Sequence, residues 1–99
     1  MPIENNLSNL VLPSRDRVLS EVKQLVAECE SISPDMLQEN TNLDADLHFD
    51  SLERVELAME IEEQFDITIS DEMEQEIRTV GDIVDGVMML LKDRKSSAF

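Results

Sequence analysis

Ser51 is the residue of this chain whose type and neighbours are best suited to covalent chemistry. Asp50 precedes it, and Leu52 and Glu53 follow it. Asp50 is a good N-cap residue, and Glu53 three positions later completes an acidic capping box, so a helix is predicted to begin at Ser51. The hydroxyl is therefore expected at an exposed first turn, beside backbone N–H groups that favour negative charge.

Serine hydrolysis is the first chemistry that these neighbours suggest, and the sequence argues against it. A catalytic triad needs a base, an acid and an oxyanion hole, and in many hydrolases the nucleophile stands in a Gly-x-Ser-x-Gly turn. Ser51 lacks that turn, and His48, the one histidine, lies just before it on the same loop. We expect no catalytic residue here, and we do not expect the chain to be an enzyme.

A calcium-binding loop is the second possibility, because Asp44, Asp46 and Asp50 have the spacing of oxygen ligands. An EF-hand needs glycine at its sixth position and a bidentate glutamate at its twelfth. Counted from Asp44, those positions hold Phe49 and Val55. One cysteine and one histidine also argue against a zinc site and an internal disulfide. We expect no metal site and at most weak, adventitious cation binding.

Composition predicts a single all-α domain. A chain of 99 residues buries only a modest core, which leaves little room for a deep active site. Two glycines and three prolines interrupt it, and the strand-favouring residues Tyr and Trp are absent. Hydrophobic residues make up 41% of the chain, so it is expected to fold rather than to be disordered.

The net charge of the chain indicates which classes of partner it can bind. Eight basic residues against 23 acidic ones give a net charge of −15, which opposes binding to nucleic acid or anionic membranes and favours proteins with basic patches. Residues 1–10 contain Glu4 and no long apolar run, so no signal peptide is predicted. No stretch approaches the roughly 20 apolar residues of a membrane span. We expect a cytoplasmic monomer.

Four helices are predicted to position Ser51. Helix I covers residues 14–29, helix II runs from the Asp50 cap to residue 65, helix III is short, and helix IV begins after Thr79. Helix III covers residues 70–76, and the long loop between helices I and II is anchored by Ile32, Leu37, Leu43 and Leu47. The apolar stripes are Val18, Val22, Leu25, Val26 and Cys29 in helix I and Val80, Ile83, Val84, Val87, Met88 and Leu91 in helix IV.

The expected organisation is a flexible N-terminal arm, a helical domain and a frayed C-terminal tail. Their predicted ranges are residues 1–13, 14–92 and 93–99. The arm lacks helical periodicity and ends at Pro13, and chain termini are commonly poorly ordered.

Helix II has three faces on a wheel of about 100° per residue. The predicted core stripe consists of Leu57, Ala58, Ile61 and Phe65. The second face, which we call the acidic ridge, consists of Glu53, Glu56, Glu60 and Glu63. The residues beside the ridge are Val55, Met59 and Glu62. Acidic groups steer a basic partner and exposed apolar groups add contact area, so the ridge is predicted to be a docking face. An ordinary solvated face is the simpler alternative.

A family resemblance centres on the Asp-Ser-Leu motif at Ser51. Residues 44–57, with 62–66 and Thr79-Val80, resemble the acyl carrier proteins of fatty-acid and polyketide synthesis, and the similarity covers residues 16–91. In that family the motif serine accepts 4′-phosphopantetheine, whose thiol holds acyl groups as thioesters. The resemblance therefore implies a four-helix acyl-carrier-like bundle and assigns the attachment of 4′-phosphopantetheine to Ser51, flanked by Asp50 and Leu52.

The resemblance also implies partners. They are a phosphopantetheinyl transferase and the acyl-loading and acyl-using synthases with basic docking patches. The implied contact residues are Asp50, Glu53, Val55, Glu56, Met59, Glu62 and Glu63. An attached phosphodiester would lie at the positive end of helix II, which favours an anion. The arm would supply the thiol that Ser51 lacks.

Two positions depart from the family pattern. His48 stands two residues before Asp50, where the family commonly has glycine, and Ser70 stands where it often has proline. Glycine eases a backbone turn, so His48 bears on how the loop reaches Ser51. The cargo stays open among fatty acyl, polyketide, aminoacyl and aryl groups, as does a housekeeping or a specialised role. An unmodified acidic helical adaptor that binds basic partners through helix II is the alternative function.

Overall fold

The computed structural model describes residues 12–97 and is a bundle of four helices with one short 3-10 turn. The helices are α1 at Arg15–Glu30, α2 at Ser51–Phe65, α3 at Asp71–Glu76 and α4 at Val80–Ser97, and the 3-10 turn is at Pro34–Met36. The predicted all-α fold with a short third helix and a long first loop is confirmed. Within the described range, β pairing is limited to an isolated bridge between Asn42 and Thr79.

The described residues can be compared with the domain limits predicted near the two ends of the chain. The predicted arm at residues 1–13 lies outside the described residues except for Leu12 and Pro13. Helix α4 continues to Ser97, past the boundary predicted at residue 92. The fraying of this end stays a prediction.

Side chains from α1, α2 and α4 form the core. Val22 of α1, Ile61 of α2 and Val84 of α4 are 0–1% exposed. The predicted stripes supply most of the buried set, which includes Val18, Val22, Val26, Leu57, Ile61, Val80, Ile83, Val84 and Val87. The stripe residues Leu25, Cys29, Ala58, Phe65, Met88 and Leu91 are half-buried. Burying apolar surface at these positions is the main stabilising contribution to such a bundle.

Side-chain caps fix where the helices begin. The Ser14 hydroxyl accepts the N–H of Arg17 at 3.2 Å, and the Ser70 hydroxyl accepts the N–H of Met73 at 3.1 Å. At α4, Thr79 Oγ1 accepts the N–H of Asp82 and Asp82 Oδ2 accepts the N–H of Thr79, both at 3.1 Å. These bonds satisfy N–H groups that a first turn leaves without helical partners.

The long loop before α2 is held against the start of α4. Leu43 is buried, and its N–H donates to the Arg78 carbonyl at 2.9 Å. The N–H of Gly81 donates to the Glu39 carbonyl at 2.8 Å, and a Cβ at Gly81 would lie 3.1 Å from that oxygen. Glycine thus permits this close approach. Of the other predicted anchors, Leu37 is buried and Ile32 and Leu47 are half-buried.

Candidate functional site

Ser51 is the first residue of α2, and its side chain is exposed. Asp50 Oδ1 accepts the N–H of Glu53 at 2.8 Å, while Glu53 Oε1 accepts the N–H of Asp50 at 3.0 Å. The predicted capping box is therefore present. It fixes the first turn and leaves the Ser51 hydroxyl facing solvent, where an enzyme can reach it.

The loop reaches Ser51 through a residue in a left-handed conformation. His48 has φ 58°, and its N–H donates to the Asp44 carbonyl at 3.0 Å. Phe49 is buried and donates its N–H to the Leu43 carbonyl at 2.9 Å, so its bulk lies away from the surface around Ser51. A left-handed residue is where glycine is least strained, which explains the glycine of the family pattern.

His48 is the one histidine of the chain and lies three residues before Ser51. The His48 side chain is exposed, and among the described residues no hydrogen bond joins it to Ser51. A serine nucleophile is activated through such a hydrogen bond to its base.

An open groove lies directly beside Ser51. We call it the Ser51 groove; it has a volume of about 410 Å³ and lies between the start of α2 and α3. Its lining residues are Asp44, Ser51, Arg54, Val55, Glu74, Gln75, Ile77 and Arg78. Arg78 is exposed and forms no ion pair within the described part of the chain.

The Ser51 groove fits the requirements of 4′-phosphopantetheine. Its volume falls in the range of small-molecule sites, about 300–1,000 Å³. A phosphodiester on Ser51 would lie at the N-terminus of α2, where backbone dipoles favour negative charge. Arg54 on the groove wall is paired with Asp44 and Glu74, so Arg78 is the lining cation that is left to meet a phosphate. These residues would hold the phosphate end of the group.

Arg54 connects α2 to the end of α3, a role that the sequence did not reveal. Its side chain is only 16% exposed, and Nη2 donates to the carbonyl oxygens of Glu74, at 3.0 Å, and of Ile77. Nε lies 3.3 Å from Glu74 Oε1, and Nη1 lies 3.5 Å from Asp44 Oδ1. The sequence signal was that Arg54 is the only basic residue between Asp50 and Glu76.

Part of the predicted docking face lies together on α2. Glu56, Met59 and Glu63 line a shallow depression of about 460 Å³ with Glu53, Glu60 and Cys29, which we call the acidic depression. Met59 is 60% exposed beside it, and Leu52 near the start of the helix is 67% exposed. Acidic and apolar groups therefore share one exposed surface.

The other predicted contact residues are placed differently. Glu62 Oε2 accepts the N–H of Ile69 at 2.7 Å, so this half-buried carboxylate holds the segment after α2. Glu53 is engaged in the capping box, and Val55, 49% exposed, faces the Ser51 groove. The structure therefore gives Glu53 of the ridge and Glu62 beside it structural contacts in addition to their predicted place on the docking face.

Cys29 lies against the acidic ridge, a contact that the sequence did not predict. Its Sγ is 3.6 Å from Glu60 Oε2. Burial, together with the negative charge of Glu60, raises the pKa of the Cys29 thiol to about 11. The thiol is therefore protonated at neutral pH and is a poor nucleophile.

Neither a metal cluster nor a membrane span is found in the residues that the structure describes. No three His, Cys, Asp or Glu side chains in that range are arranged to hold a metal ion. None of the described helices has the length and apolar character needed to cross a bilayer.

Comparisons with known proteins identify the family of the chain. A family model described as "Phosphopantetheine attachment site" matches residues 20–87. An acyl carrier protein of Sulfurovum sp. is 43% identical over 67 residues, covering 68% of this chain and 89% of the relative. One from Wolinella succinogenes is 40% identical, covering 68% and 88%.

Solved structures show the same architecture. The acyl carrier protein of Enterococcus faecalis superposes with a TM-score of 0.68 at 32% identity, covering 79% of this chain and 99% of that one. The one from Thermotoga maritima gives 0.69 at 26% identity, covering 80% and 92%. The chain therefore belongs to the acyl carrier protein family, and 4′-phosphopantetheine is the prosthetic group that this membership implies.

Proposed function

We propose that this chain carries acyl groups as thioesters on 4′-phosphopantetheine attached to Ser51, in fatty-acid or related lipid or polyketide biosynthesis. The observation that supports it best is the exposed Ser51 at the capped first turn of α2, opening onto the Ser51 groove. The arm supplies the thiol, and the protein supplies presentation. On this proposal the chain is a carrier and not an enzyme.

The residues around Ser51 contribute to presenting the arm in three different ways. Asp50 and Glu53 hold the first turn, so the Ser51 hydroxyl keeps a fixed position for the transferase. The N-terminus of α2 and Arg78 favour the negative charge of the phosphodiester. Leu52 and Val55 add exposed apolar contact area on either side.

The acidic depression is proposed as the docking surface for the transferase and the synthases. Glu56 and Glu63 would meet basic patches of the partners, and Met59 would supply apolar contact at the centre. Because the transferase and the synthases would use the same surface, they would bind the chain one at a time. We further propose a cytoplasmic monomer whose carrier domain covers residues 14–92, with a flexible arm at 1–13 and a tail at 93–99.

Transferase-catalysed loading tests the attachment. The purified chain is incubated with coenzyme A and a phosphopantetheinyl transferase, and its intact mass is measured. The parent should gain one phosphopantetheine, and Ser51→Ala should gain none. Ser70→Ala is the matched control and should load like the parent, because Ser70 caps α3 and lies outside the Ser51 groove.

The same measurement separates the alternative, an unmodified acidic adaptor. An adaptor would keep its apo mass with a transferase that loads a reference carrier. It would still bind basic partners through the acidic depression, so binding alone does not distinguish the two functions.

A further inference from the structure

The described part of the chain exposes three methionines, Met36, Met59 and Met89. Of these, Met59 alone lines the acidic depression, and neither Met36 nor Met89 lines that depression or the Ser51 groove. Because Met59 is 60% exposed, a small molecule in solution can reach its thioether sulfur. An oxidisable atom therefore lies on the surface that is proposed for docking.

The side chains around Met59 offer no free hydrogen-bond donor. The other residues that line the depression are Cys29, Glu53, Glu56, Glu60 and Glu63. Ionised carboxylates only accept hydrogen bonds, and the Cys29 thiol already lies 3.6 Å from Glu60 Oε2. An oxygen atom added to the sulfur of Met59 would therefore be solvated by water and not by the protein.

Cys29 is the other sulfur of the acidic depression, and it competes poorly for an oxidant. Peroxides react with the thiolate form of cysteine. Burial and the charge of Glu60 raise the pKa of the Cys29 thiol to about 11, so the thiol stays protonated at neutral pH. A thioether carries no proton to lose, so its oxidation has no such requirement. Met59 is therefore the sulfur of the depression that a peroxide oxidises first.

We propose that Met59 is an oxidation site through which a peroxide weakens the docking of the transferase and the synthases. The inference rests on the proposed function, since docking at the acidic depression is part of it. A peroxide transfers one oxygen atom to Met59 Sδ, so that an O–O bond breaks and an S–O bond forms. The sulfur loses two electrons, and the second oxygen of hydrogen peroxide leaves as water. Methionine sulfoxide reductases return the two electrons from thiols.

Oxidation turns an apolar contact at the centre of the docking surface into a polar one. A partner that covers Met59 with apolar surface would strip water from the sulfoxide oxygen and put no donor in its place. Burying an unpaired acceptor weakens binding by roughly tenfold or more. The glutamates that steer a basic partner keep their charge, so this loss should persist at high salt.

Loading kinetics after oxidation test the inference. The apo chain, which has no arm thiol, is treated with hydrogen peroxide, and catalase then removes the peroxide before the transferase is added. Peptide mapping by tandem mass spectrometry shows which sulfur atoms carry oxygen. The KM for the parent chain should rise roughly tenfold with little change in kcat, at low and at high salt. A mixture of the two methionine sulfoxide reductases should restore it.

Met36→Leu and Met59→Leu are the matched variants, each compared with its own untreated sample. Met36 is 70% exposed and should oxidise as readily as Met59, so the KM for Met36→Leu should rise as in the parent. Met59→Leu lacks the sulfur but retains Cys29, so treatment should change its KM by less than about twofold. Circular dichroism should show the treated parent folded, because Met59 is exposed.

An unchanged KM in a chain that carries oxygen on Met59 overturns the inference. An equal rise in Met59→Leu also overturns it, because the effect would then belong to another residue. Oxidation of Cys29 ahead of Met59, or unfolding of the treated parent, contradicts it as well. Failure of the untreated chain to load overturns the proposed function instead.

Discussion

Apolar packing holds α1 against α4, whereas polar contacts hold α3 against α2. Val22 and Val26 of α1 and Val80 and Val84 of α4 are all fully buried. Helix α3 contains no fully buried residue, and Arg54 of α2 donates to the carbonyl oxygens of Glu74 and Ile77 at its end. We call the apolar core formed by α1, α2 and α4 the scaffold, whereas the contact of α3 with α2 beside the Ser51 groove is polar.

The difference matters because apolar and polar contacts respond differently to perturbation. A packed core loses stability when any methylene is removed, since its neighbours do not collapse fully into the space. A polar tether can break and reform at modest cost, because water satisfies the released groups.

Ile61→Ala should produce the largest effect, because Ile61 is 1% exposed in the scaffold. We expect the free energy of unfolding to fall by about 2–5 kcal/mol. Urea denaturation followed by circular dichroism measures it. Leu52→Ala is the control, since Leu52 is 67% exposed and should change stability by no more than about 0.5 kcal/mol. Equal losses in both variants would remove the distinction between scaffold and surface.

The Cys29 thiol should react slowly with alkylating agents, because its pKa is raised to about 11 from an ordinary 9.0. At pH 8 its thiolate fraction should be roughly a hundredfold below that of a free thiol. The raised folded pKa favours the protonated thiol, so this contribution to stability is complete below pH 9.0 and falls as the pH rises toward 11.

Iodoacetamide kinetics on the Ser51→Ala chain, which has no arm thiol, measure this pKa. Glu60→Gln should lower it by removing the adjacent charge. A rate profile with its midpoint at or below 9 in the parent would contradict the burial of Cys29 between α1 and α2.

His48→Gly should stabilise the fold by about 1 kcal/mol, because His48 holds φ 58° in the left-handed region. Thermal unfolding at pH 7 measures the change. Ala45→Gly is the matched control: Ala45 lies on the same loop, is exposed and is not among the positive-φ residues, so glycine there should destabilise by up to about 1 kcal/mol. If both substitutions changed the stability in the same direction, the result would count against backbone strain at His48.

Glu56→Lys should have the smallest effect on stability, a few tenths of a kcal/mol, and act on docking instead. Loading by the transferase should slow several-fold at low salt and recover as salt screens the charge. Asp16→Lys carries the same charge change. The contacts Cys29–Glu60 and Glu21–Gln64 show that α1 and α2 are antiparallel. Asp16 therefore lies beyond the C-terminal end of α2, far from the acidic depression. Equal slowing by both would mean that net charge, and not the acidic depression, controls docking.

Local chemistry made much of the fold predictable. The capping residues Asp50, Ser70 and Thr79 mark the starts of three helices, because their side chains accept hydrogen bonds from backbone N–H groups within one turn. Apolar spacing identified the stripes that pack in the core. Such signals are local, so they do not depend on how the helices pack together.

The rest depends on tertiary contacts that no spacing reveals. Arg54 reaches Glu74 and Ile77 only because α3 packs beside α2. Glu62 remains a predicted docking residue, and the spacing did not reveal that its carboxylate also accepts the N–H of Ile69. The residue type of His48 does not indicate its left-handed conformation; the glycine that the family commonly has at this position was the available signal.

Peptide mapping of the chain coexpressed with a phosphopantetheinyl transferase tests the central proposal most directly. Proteolysis and tandem mass spectrometry locate the modified residue without relying on any variant. The account predicts one phosphopantetheine per chain, on Ser51. An arm on Ser20, Ser31 or Ser70, or an unmodified chain beside a fully loaded reference carrier, would contradict it.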